Sequence, residues 1–176
     1  MFVNRIIRAL LLDPNVYEEV EHDKSAILQA LLVVFLSSLA RGIYTYKLGD
    51  YKGLIVGTIT SFVLWILLSL LIYIIGIKLF PESETRTDQA EVIRVLGFAS
   101  APGIFRVFAV IHFLTPFVFL IVWIWTLVAM IVAVRQALDF KNTWNAIWVC
   151  VFGIIAYGLV YTILFFAFGL PKPAWS

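Results

Sequence analysis

Residues 54–79 read LIVGTITSFVLWILLSLLIYIIGIKL. The stretch has no acidic residue, and its only Lys or Arg, Lys78, stands one position from its end. A helical crossing of a bilayer takes about 20 consecutive apolar residues. This run exceeds that, so it reads as a long transmembrane helix with length to spare for tilt. Pro81 closes it.

The rest of the chain repeats the pattern around this span. The apolar fraction is 62% and the charged fraction 14%, against about 45–50% and 25% for soluble domains. A soluble monomer lacks the wet, partly charged exterior to accommodate such a composition, and a disordered chain is excluded by it. Five spans of about 20 residues fit within the 176 residues and leave no room for a large soluble catalytic domain. The expected fold is therefore all-α, a polytopic membrane bundle with five spans at about 25–44, 54–79, 95–113, 117–134 and 144–168. Residues 1–24 form a separate arm, and residues 25–176 the membrane domain.

Within the arm, FVNRIIRALLL (residues 2–12) has apolar residues at helical spacing, including Ile6 and Ile7, while Arg5 and Arg8 take the other face. It is too short to span. An acidic stretch follows where a signal peptide would have its cleavage site. It is expected to lie at the membrane surface with Arg5 and Arg8 near anionic headgroups, the alternative being an ordinary helix packed on the rest of the protein. Asp13 and Pro14 are suited to cap and start a second helix, PNVYEEVEHD.

Cations near the span ends set the expected orientation. The arm and the second and fourth loops carry eight Lys or Arg, against four on the other side. The N-terminus is accordingly expected in the cytoplasm and the C-terminus outside. Trp123, Trp125, Trp144, Trp148 and Trp175 lie close to span ends or just inside them, and interfacial anchoring accounts for several.

The sequence has no H-E-x-x-H, G-x-S-x-G, P-loop or G-x-G-x-x-G pattern. Neighbours Glu21, His22 and Asp23 diverge on a helix and make no metal site. No enzyme, cofactor or nucleic-acid partner is expected; the formal net charge is only +2. The partner that composition does imply is the lipid bilayer.

The third span, VLGFASAPGIFRVFAVIHF, is the exception among the five. Pro102 is expected to kink it, beside Gly103. Arg106 lies inside the apolar stretch with no acid at helical spacing. It is open to snorkelling, to bonding backbone carbonyls, or to meeting a substrate or ion. Gly49, Gly53, Gly57 and Ser61, four apart, form a small-residue stripe for close helix packing, within the chain or in a homo-oligomer or with other membrane proteins. Glu91, Arg94, Arg135 and Asp139 are expected at neighbouring ends of the third and fourth spans, as a salt-bridge cluster.

Three stretches carry a family likeness. LLLDPNVYEEVEHD (Leu10 to Asp23), with Asp13, Pro14, Tyr17, Glu18 and Glu19, resembles the D-P-x-x-Y-E-E segment ahead of the first span in short prokaryotic proteins of the Yip1 domain family. EVIRVLGFASAPGIF (Glu91 to Phe105) resembles that family's third span. WTLVAMIVAVRQALDFKNTWNAI (Trp125 to Ile147) is similar to its fourth span and following loop. The resemblance implies five spans with a cytoplasmic N-terminus. Eukaryotic members of the family are associated with Rab GTPases, vesicle budding and organelle shape, and carry a long arm bearing D-L-Y-G-P. That motif is absent here, so a Rab-type GTPase partner is not implied. What the reading supports is a non-enzymatic scaffold or membrane-organising factor, with a small transporter or channel lined by Arg106 and the Pro102 kink as the alternative.

Overall fold

The computed structural model describes residues 2–48, 51–81 and 87–168. Every regular element among them is helical. Two short helices, α1 (Phe2–Leu10) and α2 (Pro14–His22), precede the long α3 (Ala26–Leu48) and α4 (Tyr51–Leu79). α5 (Gln89–Ala99) passes into a 3-10 helix (Ala101–Val110) and a 3-10 turn (His112–Leu114); α6 (Thr115–Ala137) and α7 (Thr143–Phe168) complete the order. Five segments are long and apolar enough to cross a membrane: Ala26–Tyr46, Tyr51–Leu79, Gln89–Val110, His112–Ala137 and Thr143–Ile163.

Two of the boundary differences from expectation bear on the polar regions. The third span begins at Gln89, because Asp88 and Glu91 form a capping box that starts the helix inside the presumed loop. The Glu91 N–H donates to Asp88 Oδ1 (2.8 Å), and the Asp88 N–H donates to Glu91 Oε2 (2.9 Å). The first span continues as helix to Leu48. Arg41, within the expected span, thus stands seven residues before the end of this helix.

The five spans close into a ring. α3 packs on α4, α4 on α7, α7 on α6, and α6 on α5 and the 3-10 helix, which return to α3. The third span is the most enclosed, with 67% of its apolar stretch buried, against 28% for the second, fourth and fifth. Burial explains why it can be the least apolar of the five, at a mean hydropathy of 1.5: its polar positions face protein and not lipid.

The expected kink at Pro102 is a change of helix type. Proline lacks the N–H for an α-helical bond and its ring crowds the carbonyl four residues back. The chain answers with i to i+3 bonding: the Gly103 N–H donates to the Ser100 carbonyl (2.9 Å), and this winding persists to Val110. Runs longer than three or four residues are uncommon for a 3-10 helix.

The small-residue stripe is used within the chain. A Cβ on Gly57 would strike Thr45 Oγ1, and one on Gly53 would meet the Thr45 carbonyl oxygen at 2.9 Å. From the opposing helix, a Cβ on Gly42 would strike Thr58 Oγ1 and meet the Leu54 carbonyl at 2.7 Å. α3 and α4 thus approach backbone to backbone, as small residues permit in membranes. Ser61 continues the stripe towards the centre of the ring. Gly49 lies outside the described residues.

Gly42→Val should therefore destabilise the bundle by about 1–3 kcal/mol or more, seen as a lower thermal midpoint in detergent. Gly158→Ala should be neutral or slightly stabilising in the same assay, since nothing lies within 4 Å of where the added methyl group would stand.

Candidate functional site

Polar side chains gather in two places, one at each half of the bundle. The first is the N-terminal hairpin. α1 and α2 run antiparallel, joined through Leu12, whose φ of 60° ends α1 in the left-handed conformation. Asp13 caps α2 by accepting from the Asn15 N–H (3.0 Å), with Pro14 at the first helical position. The hairpin lies against α5 and α6. Val16, Tyr17 and Val20 are fully buried there, and the Tyr17 hydroxyl donates to the Ala9 carbonyl (3.3 Å). Glu18 is exposed; its carbonyl meets His22 Nδ1 at 2.9 Å.

Arg5 and Arg8 are not turned to lipid headgroups as the helical wheel suggests. Arg5 is buried and donates to Glu19 (2.8 Å), Asp23 (2.8 Å) and Gln29 (3.0 Å). Arg8 donates to Asp13 (2.8 Å) and Glu19 (2.5 Å). The acidic arm folds back as antiparallel α2 and supplies carboxylate partners to both guanidiniums. Their guanidinium partners hold the Glu19 and Asp13 carboxyls below the ordinary range. Ile6 packs on the core, whereas Val3, Ile7 and Leu11 form an exposed apolar stripe.

The expected cluster of Glu91, Arg94, Arg135 and Asp139 is likewise rearranged. Arg94 is buried, and its guanidinium caps the end of α2: Nε donates to the carbonyls of Val20 (3.0 Å) and Glu21 (3.1 Å), and Nη2 to that of Glu21. Glu91 stands 3.9 Å from Arg94, at the limit of an ion pair. Arg135 Nε reaches the Phe140 carbonyl (3.4 Å), and Asp139 takes a φ of 51° beyond the end of α6. Arg94 thus serves the last carbonyls of a helix, which lack intrahelical donors, and Arg135 holds the turn that follows α6. Glu21 differs from the other carboxylates of the arm. Its burial, with Asp139 and Glu91 nearby, pushes its carboxyl up to about 7.

Trp125, grouped by sequence with the interfacial tryptophans, is half-buried and bonded to the N-terminal hairpin. Its indole N–H donates to the Leu10 carbonyl at the hairpin tip (3.0 Å), and its ring stacks on Phe105 at 5.4 Å. It stands twelve residues before the end of α6, about 18 Å along the axis. The hairpin tip thus lies alongside the middle of α6 and not at its end.

The second polar region is a partly open cavity of about 200 Å³ lined by residues of all five spans. Arg106 enters it from the 3-10 helix. That winding has three residues per turn, so positions i and i+3 eclipse. Ser100, Gly103, Arg106 and Ala109 share one face, and the 3-10 helix packs on α3. Arg106 Nη1 donates to Ser37 Oγ (3.3 Å). A Cβ on Gly103 would strike that hydroxyl and stand 2.6 Å from Arg106 Nη1. Glycine is thus the notch through which the guanidinium passes, and Pro102 is buried alongside.

Arg41, Ser37, Thr126 and Tyr157 also line this cavity, and sequence reasoning misses all four as site residues. The signal for Arg41 is its place within the apolar run that starts at Ala26. The other three look like ordinary residues of apolar helices until the ring closes. Among the described residues, neither Arg41 nor Arg106 has an acidic ion-pair partner, and no cluster of His, Cys, Asp or Glu is arranged to hold a metal.

Five apolar helices closed around a polar cavity define a polytopic α-helical membrane protein. The Yip1 domain family model matches residues 8–167, nearly the whole chain, and the protein belongs to that family. No curated protein and no solved structure matches it.

Two outcomes test the hairpin's anchoring. Arg94→Met should cost about 1–3 kcal/mol and raise hydrogen exchange across residues 14–22. Glu21→Gln should raise the thermal midpoint at pH 8 and leave it unchanged at pH 4. The carboxyl titrates near 4.5 when unfolded and near 7 when folded, so the native state holds the extra proton between them. Wild-type stability falls as pH rises through that window, and the amide removes this loss.

Proposed function

We infer that the protein is a non-enzymatic membrane-organising scaffold whose N-terminal hairpin occupies one leaflet, on the cytoplasmic side. The carrying observation is the hairpin itself. Its tip is bonded to Trp125, well inside α6, while Val3, Ile7 and Leu11 point away from the bundle. That stripe adds apolar volume beside five spans in one half of the bilayer only. An element wedged into a single leaflet favours curved or loosely packed membrane. Charge is compatible with this depth because Arg5 and Arg8 are paired with Asp13, Glu19 and Asp23. The α3–α4 glycines are engaged within the chain, so scaffolding does not require a homo-oligomer built on that stripe.

The transporter reading draws on Arg106 and the cavity, and is the weaker one. Polar lining ends near Ser100 and Thr126. The adjoining void of about 40 Å³ is walled mainly by Trp65, Leu68, Leu96, Ala99 and Met130, so the polar lining is not carried on there.

The test is the distribution of fluorescent full-length protein between small and large vesicles. Wild type should be enriched on small vesicles. The triple variant Val3→Ser, Ile7→Ser, Leu11→Ser alters only the exposed stripe and should lose the enrichment while keeping its fold. An unchanged distribution would overturn the reading.

A further inference from the structure

We propose that the cavity between the five spans is a binding site for a phosphate-type oxyanion, carried by an anionic lipid headgroup or free in solution. The site is distinct from the hairpin and does not rest on the scaffold reading. It lies in the other half of the bundle: Arg41 is fifteen residues from the start of α3, about 22 Å along its axis.

Three observations carry the assignment. First, two guanidiniums, Arg41 and Arg106, line one cavity inside a predominantly apolar ring. Charged residues in a membrane interior are costly, and they pair or face a polar cavity. The two buried arginines of the hairpin region are fully engaged, Arg5 by two carboxylates and an amide, Arg94 by two carbonyls. Arg106 has one long bond to a serine hydroxyl, and among the described residues neither cavity arginine has a carboxylate. The described lining holds no Asp or Glu. Positive charge is left uncompensated by these residues, so the complement is an anion.

Second, the remaining polar lining suits an oxyanion. Ser37, Ser61, Thr60 and Tyr157 bring hydroxyls to the same space. Thr126 is also a lining residue, and its Oγ1 is buried without a hydrogen-bond partner among the described residues. Hydroxyl donors around planar guanidinium forks match the several acceptor oxygens of a phosphate better than a monatomic anion.

Third, the size is right. A volume of about 200 Å³ is below the ~300–1,000 Å³ of pockets that enclose whole drug-sized molecules. It admits a headgroup while acyl chains stay in the bilayer. The Gly103 notch and the 3-10 winding hold Arg106 in place for this role, since any side chain at 103 would strike both Ser37 and the guanidinium.

The experiment uses full-length protein in nanodiscs, with Arg41→Gln, Arg106→Gln and Arg106→Lys beside wild type, each checked for helicity and monodispersity. In discs of mixed phosphatidylcholine and phosphatidylglycerol, native mass spectrometry counts the phosphatidylglycerol retained on release. In phosphatidylcholine discs, inorganic phosphate is titrated against the thermal midpoint. Retention that weakens about tenfold or more in the glutamine variants, and less in Arg106→Lys, supports the site with lipid as its source. A phosphate-dependent rise in midpoint that Arg41→Gln removes supports it with the free anion as source. Arg41 lies in the last third of α3 and is only partly buried, so its variant is the one to read if Arg106→Gln fails to fold. Equal phosphatidylglycerol retention and equal phosphate response in wild type and Arg41→Gln would overturn the proposal and leave a cavity that holds water only.

Discussion

A chain that crosses hydrocarbon must satisfy every backbone N–H and C=O within itself, and Pro102 cannot contribute an N–H. Much of the architecture follows from how the third span meets that constraint. It abandons the α-helical ladder at Ser100 and continues by i to i+3 bonds to Val110. This span is also the most enclosed of the five, so neighbouring helices shield the irregular winding from lipid. The change of winding then decides which side chains align. Gly103 stacks over Arg106, and both look at Ser37. On another face Phe105 stacks with Phe108 at 6.2 Å and with Trp125 at 5.4 Å. Trp125 in turn secures the tip of the N-terminal hairpin.

The two polar regions treat charge in opposite ways. The hairpin is self-neutralising: each guanidinium of α1 finds carboxylates on the returning arm, and the buried Arg94 caps α2 in place of solvent. Such pairing lets a charged segment lie against apolar helices without an uncompensated ion. The cavity keeps its two cations beside hydroxyls. One arrangement holds a structure together; the other leaves an electrostatic preference to be met from outside the chain.

Much of the fold is legible in the sequence because it is set by composition. Spans such as 54–79 contain little but apolar and small residues, and a membrane helix is the one element that accommodates them. The D-P start of α2 and the small-residue stripe are also legible, being local signals at fixed spacing. What escapes is whatever depends on helices meeting. Arg5 and Arg8 have a clean polar face on a helical wheel, yet α2 folds back to cover it. Glu91, Arg94, Arg135 and Asp139 look like one cluster by proximity of their span ends, but the end of α2 claims Arg94. Arg41 falls inside the expected first span, but only the packing of the five spans brings it to the same cavity as Arg106. Ser37, Thr126 and Tyr157 carry no pattern of their own.

The winding of the third span also has a metric consequence. A 3-10 helix rises about 2.0 Å per residue and an α-helix about 1.5 Å. The ten residues from Ala101 to Val110 therefore reach about 5 Å farther than the same residues would as α-helix. The bilayer thickness this span matches is set by its hydrogen-bond register as well as by its residue count. The span of lowest mean hydropathy can in this way cross the same slab as the 29-residue second span.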